Sequence, residues 1–120
     1  MKRFESYAQF ISELREYTGF YTCDARTGDA GVTIPYDVVV RGNCDDVRAD
    51  NGRYIKRDQI DIMHHSYSRI DGNDVNRYES EAKIEAFLDA CGIAYDRDGA
   101  TWLDDIQLFV TQYSIEVWYE

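Results

Sequence analysis

Apolar residues recur every three to four positions at the start of the chain. Phe4, Tyr7, Ala8, Ile11, Leu14 and Tyr17 fall on one stripe, the pattern of a helix with one buried face. Gly19 follows as a natural stop, so the spacing predicts a helix over 3–17. Residues 20–34 lose this period and are rich in Gly, Asp and Thr. They read as a loop with room for a short strand at 20–23. After Pro35 the period becomes two, and Tyr36, Val38 and Val40 share one face of a strand. A polar stretch over 43–52 reads as a second loop and ends in the turn-forming pair Asn51-Gly52.

The run 53–65 alternates again. Tyr54, Ile60, Ile62 and His64 fall on one face; Ile55, Arg57, Gln59, Asp61, Met63 and His65 fall on the other. Its first half is polar on both sides, the signature of an exposed or partner-covered strand. Asn73 or Asp74 then caps a second helix over 74–91. Its expected apolar side is Tyr78, Ala82, Ile84, Phe87, Leu88 and Cys91, with Gly92 as the stop. A short strand from Gly92 reaches an expected turn at Asp98-Gly99, and a long strand closes the chain. In that last strand Phe109, Tyr113, Ile115, Val117 and Tyr119 share a face, and Ile106, Leu108, Val110 and Trp118 share the other.

The order α-β-β-α-β-β points to an α+β fold. Short connections within each strand pair favour a mostly antiparallel four-stranded sheet with two helices packed on one face. The 120 residues suit a single domain over 1–120. No apolar run approaches the roughly 18 residues of a membrane span. The first residues lack the apolar core of a secretory signal. Cys23, Cys44 and Cys91 are widely spaced and odd in number, which fits free thiols in a reducing compartment.

A net charge of −10 rules against bulk attraction to nucleic acid or an anionic membrane. Ten tyrosines and two tryptophans suit protein contacts as well as a core. Candidate chemistry is sparse. His64 and His65 are adjacent, but neighbouring strand residues point to opposite faces and cannot share one metal. Asp96-Arg97-Asp98-Gly99 starts like a calcium loop, yet its fifth and twelfth positions are Ala100 and Gln107. Asp45-Asp46 and Asp104-Asp105 read as solvated loop charge. The stretch 27–31, TGDAG, lacks the Lys-Ser/Thr of a phosphate loop. No catalytic set, metal site or cofactor is expected, and an enzyme is not the reading.

Several stretches resemble a known family. IPYDVVV is followed by RADNGRYIKRDQIDIMHHSYSR, then YESEAKIEAFLDACGIAYDRD, then DIQLFVTQYSIEVWYE. Pro35, Tyr36, Ala49, Asp50, Asn51 and Ile60, then Ile84, Glu85, Leu88, Gly92, Ile93, Tyr95, Tyr113 and Ile115 fall in that order and spacing. The pattern is similar to the tail-terminator, or tail-to-head joining, proteins of long-tailed phages and prophages, and covers about residues 34–119. Met63-His64-His65 departs from the family's usual Leu-Tyr-Thr strand end, and the loop at 20–33 is long.

The resemblance implies a non-enzymatic virion protein, assembled in the host cytoplasm. It implies a homo-oligomeric ring, commonly a hexamer, that caps the tail tube protein and meets the head-tail connector protein. DNA would pass through without specific binding, past a like-charged wall. The nearest alternative is a head-completion or neck adaptor protein. From another class, an acidic soluble binding or immunity protein would pair one-to-one with a basic partner. The loops at 20–33 and 42–52 are the expected contact regions, with Arg48, Asp50 and Arg53 beside the turn as the candidate interface residues.

Overall fold

A computed structural model describes residues 2–24, 34–48, 54–66, 77–106 and 108–120; for 43–48 and 54–55 it gives strand course and pairing. The order is α1 (Tyr7–Thr18), β1 (Tyr21–Asp24), β2 (Tyr36–Arg48), β3 (Tyr54–Ser66), α2 (Arg77–Ala90), β4 (Tyr95–Leu103) and β5 (Leu108–Trp118). The strands form one five-stranded sheet in the order β1-β2-β3-β5-β4. The expected α+β class with two helices stands, and the strand count is corrected from four to five. The added member is β1, which pairs parallel to β2 through Tyr21↔Tyr36 to Asp24↔Val39. The remaining pairs are antiparallel, so the sheet is mixed. The sequence left room for a short strand at 20–23, and the chain forms it one residue later, at Tyr21–Asp24.

Helix α1 starts at residue 7 rather than 3. Ser6 is its N-cap and accepts a hydrogen bond from the Gln9 amide at 3.1 Å, which satisfies one of the free donors of the first turn. Residues ahead of that cap serve the sheet instead: Phe4 bridges Tyr119 in parallel. Gly19 ends the helix in the left-handed region at φ 75°, as a side-chain-free residue can. Helix α2 closes with Gly92 at φ 70°. There the Ile93 amide donates to the Leu88 carbonyl and the Gly92 amide to that of Asp89. These paired bonds satisfy carbonyls that the helix itself leaves open.

Both helices cover the same sheet face. Phe10 and Leu14 of α1 and Ile84, Phe87 and Leu88 of α2 meet Val39, Ile60, Ile62, Tyr113, Ile115 and Val117 in one core. Full burial stabilises each such side chain by about 1.5–3 kcal/mol. Glu85 ties α2 to the far strands, accepting from the Tyr95 hydroxyl at 2.9 Å, the Tyr113 hydroxyl at 3.1 Å and Arg97 at 3.0 Å.

Two expected loops are strand. The stretch from 43 belongs to β2, which continues to Arg48, paired with Tyr54. Its polar composition, Asn-Cys-Asp-Asp-Val-Arg, carries no alternation of apolar and polar residues to announce a strand. Asp98-Gly99 is not a hairpin turn. Strand β4 passes through it with one extra residue between Asp98↔Gln112 and Thr101↔Val110, a β-bulge that the chain can form with a glycine in open space.

Beyond Arg57↔Trp118 and a last bond from the Tyr119 amide to the Lys56 carbonyl, β3 leaves β5. From there β2 and β3 continue as a two-stranded arm to Arg48↔Tyr54. A bulge between Arg41 and Cys44 sits near the arm's root. Gly42 lies in it, and a Cβ there would stand 2.9 Å from the Gln59 carbonyl oxygen. The molecule measures 57 × 27 × 24 Å with a radius of gyration of 15.3 Å, against about 14 Å for a compact domain of this length. No helix among the described residues is long and apolar enough to cross a membrane.

Candidate functional site

Alternation along β3 sends His64 and His65 to opposite sides, as the sequence predicts. His64 enters a fully buried polar row. Its Nδ1 lies 2.6 Å from Asp37 Oδ1 and its Nε2 lies 2.7 Å from Ser80 Oγ. Asp37 and Thr111 are its direct register partners on either side, and Phe20 packs on the ring at 5.5 Å. Asp37, His64, Ser80 and Thr111 are all 0% exposed. Ser80 also donates to the Arg77 carbonyl at 3.0 Å. Its oxygen is therefore the acceptor for Nε2–H, and the Nδ1–Asp37 contact is left to share the remaining proton. Burial pushes the Asp37 carboxyl up from its ordinary value, while His64 pulls it back.

The order Asp-His-Ser is that of a nucleophilic relay on other folds. Here the serine hydrogen is engaged by its own helix, and the oxygen is sealed from solvent. The geometry fastens the first turn of α2 to β2 and β3. Sequence reasoning placed Tyr78 and Ala82 on the buried side of α2. Both are exposed, and Ser80 and Glu81 are buried in their place. Counting back three and four from Ile84 gives Glu81 and Ser80, so the period held the signal and the polarity of the residues masked it.

His65 lies on the sheet face that the helices leave open. It stacks on Tyr36 with ring centroids 4.3 Å apart. Burial lowers its pKa below the ordinary 6.5, with the Met63 carbonyl acting in the other direction. Beside it is a hollow of about 490 Å³ with Val38, Met63, Leu103 and Val110 in its lining. Its other side carries Asp98 and Gln112. Further along the same face Asp61 accepts from Ser114 at 3.0 Å, and Glu116 bonds Gln59 at 2.7 Å. The open face thus passes from an apolar end to a carboxylate-lined one. Nothing among the described residues gathers three metal-ligating side chains.

Of the candidate interface residues, Arg48 forms the last β2 pair of the arm. Asp50 and Arg53 lie outside the described residues, between the two arm strands in sequence. Of the expected contact loop at 20–33, Tyr21–Asp24 is strand β1 and 25–33 lies outside the described residues. The family-like positions Glu85, Tyr95 and Tyr113 come together as the hydrogen-bonded hub under α2, and Leu88, Gly92 and Ile93 form the helix end. What these positions hold is the packing of α2 on the sheet. A search of protein-family models and a search of curated proteins find no match to the chain.

Proposed function

We propose that this chain is a non-enzymatic assembly protein of a phage virion, a tail terminator that caps the tail tube as a ring and meets the head connector. The arm formed by β2 and β3 is the observation that carries this reading. An isolated pair of strands is marginally stable in water. A ribbon that leaves its own sheet is therefore a natural element to dock on a neighbour. The open face with Tyr36, Val38 and Met63 adds a second contact surface on the same small body. The ordered resemblance over residues 34–119 supplies the virion setting. A head-to-tail contact of this kind closes into a ring by rotation. The acidic chain would line such a ring without holding DNA, since like charges repel.

The test is removal of the coding region from a phage or prophage that carries it, followed by electron microscopy of the lysate. Over-long tails without heads are the expected result. Tails of normal length lying beside filled heads would move the chain to a neck adaptor role. Complete, infectious virions would contradict both.

A further inference from the structure

The described surface carries an aromatic patch that the core does not use. Tyr78, in the first turn of α2, is 57% exposed, and Trp102, near the end of β4, is 38% exposed. The Arg77 guanidinium lies over two rings, 4.7 Å from the centre of Tyr78 and 4.6 Å from that of Phe109. Phe109 in turn meets the Trp102 ring edge-on at 5.1 Å. Arg77 also donates to the Tyr78 hydroxyl at 2.8 Å, and the Trp102 indole donates to Asp104 at 2.6 Å. These contacts hold the rings before any partner arrives, so little side-chain freedom is left to lose on binding. Trp, Tyr and Arg are also the residues that most often carry the energy of a protein interface.

The strand register sets this patch behind the hollow of the open face. Trp102 pairs with Phe109, and Leu103 with Leu108. Alternation therefore turns Trp102 and Phe109 to the helix side, and Leu103 and Val110 to the open side. Patch and hollow lie back to back at one end of the β4–β5 pair. Val38, Met63, Leu103 and Val110 line the hollow, and Asp98 is the carboxylate in it.

We propose that the Tyr78–Trp102 patch of one copy seats in the open-face hollow of the next. This pairing rests on the ring reading and names the two surfaces that meet in it. Charge selects it over the symmetric alternatives. Two hollows face to face would set Asp98 against its own copy, and two patches would set Arg77 against its own; like charges across an interface cost affinity. Patch against hollow brings Arg77 towards Asp98 and the rings onto an apolar lining. Glu81 lies 3.6 Å from Arg77 and tempers its charge, so the rings supply most of the attraction. A copy seated in its neighbour still presents its own hollow on the other side of the sheet, so the contact runs head to tail until rotation closes it. Two aromatic side chains bury about 300–500 Å², against roughly 800 Å² per partner in a stable pair. One contact is therefore weak, and closure is what holds the assembly.

The experiment is sedimentation velocity on the full chain, a patch form, Tyr78→Ala/Trp102→Ala, and a hollow form, Leu103→Glu. Far-ultraviolet circular dichroism confirms that each form is folded; Tyr78→Ala alone, at a side chain more than half exposed, replaces the double form if that one is not. The wild-type chain is expected to self-associate and each altered form to sediment as a monomer. Mixed in equal amounts, the two forms should give a one-to-one dimer and nothing larger, because one keeps only its hollow and the other only its patch. A patch form that assembles like the wild type would overturn the proposal. So would a mixture that stays monomeric, or a wild-type chain that is monomeric at about 1 mM, a concentration at which even weak contacts register. An assembling patch form together with over-long tails in the deletion lysate would overturn this pairing and keep the tail terminator. The dimer in the mixture together with complete virions in that lysate would do the reverse.

Discussion

The two faces of the sheet divide at adjacent residues. His64 points under the helices and is 0% exposed, held by Asp37 and Ser80. His65 points to the open face, half-buried against Tyr36. The covered face buries its polar residues, with His64 bonded to Asp37 and Ser80, while Asp37 Oδ2 and Ser66 Oγ find no partner among the described residues. The open face keeps an apolar hollow and unburied carboxylates. One residue type, one step apart, therefore serves cohesion on one side and lines an open surface on the other. The strand's period of two sets the division.

That division is broken most severely by His64→Ala. The change removes both buried hydrogen bonds of the ring and leaves a cavity in its place, which together cost about 2–5 kcal/mol. A urea titration should show the loss as a lower midpoint with an unchanged slope. Ser80→Ala is milder. It removes the acceptor of His64 Nε2, at about 1–3 kcal/mol, and should loosen hydrogen-exchange protection in the first turn of α2 before the rest. His65→Ala should change stability by less than either, because the ring is half in water. Equal losses for His64→Ala and His65→Ala in the same titration would erase the distinction between the faces.

The smallest expected effect is a pair of opposite pH slopes. Burial raises the Asp37 pKa from 3.8, so the folded chain keeps that proton after the unfolded chain has lost it. Its contribution is fully present below 3.8 and is lost as pH rises through the folded value. Burial lowers the His65 pKa from 6.5. That contribution is present above 6.5 and is lost as pH falls through the folded value. Urea midpoints across pH should lose one slope in Asp37→Asn and the other in His65→Gln. A His65→Gln chain that keeps the full slope below 6.5 would show that this ring is not its source.

The sequence disclosed what repeated patterning can disclose. Leu14 and its stripe, then Ile84, Phe87 and Leu88, announced two helices, and Gly19 and Gly92 announced their ends; the stripe of the first helix was set one step off, since Phe10 and Thr18 are buried and Ala8 and Tyr17 are exposed. The faces of β3 and β5 followed from alternation alone. Polar composition misled where the fold uses polar residues for other purposes. The stretch 43–48 looked like loop because its residues do not alternate apolar with polar. Ser80 and Glu81 looked exposed because their partners, including His64 and Thr111, arrive from strands far away in sequence. Asp37 sits two residues from Val39 on the same covered face, and nothing local shows that His64 lies opposite it. Arg48 was identified for its place beside a turn; the arm becomes visible only once β2 and β3 are seen to outrun β5.

The separation of cohesion from contact is tested most directly by sedimentation velocity on Met63→Glu. Met63 lines the hollow on the open face and takes no part in the covered core. The proposed ring predicts a wild-type chain that self-associates and a folded Met63→Glu chain that does not, because a carboxylate then occupies the apolar end of an already acidic surface. A Met63→Glu chain that sediments as the wild-type assembly would contradict it.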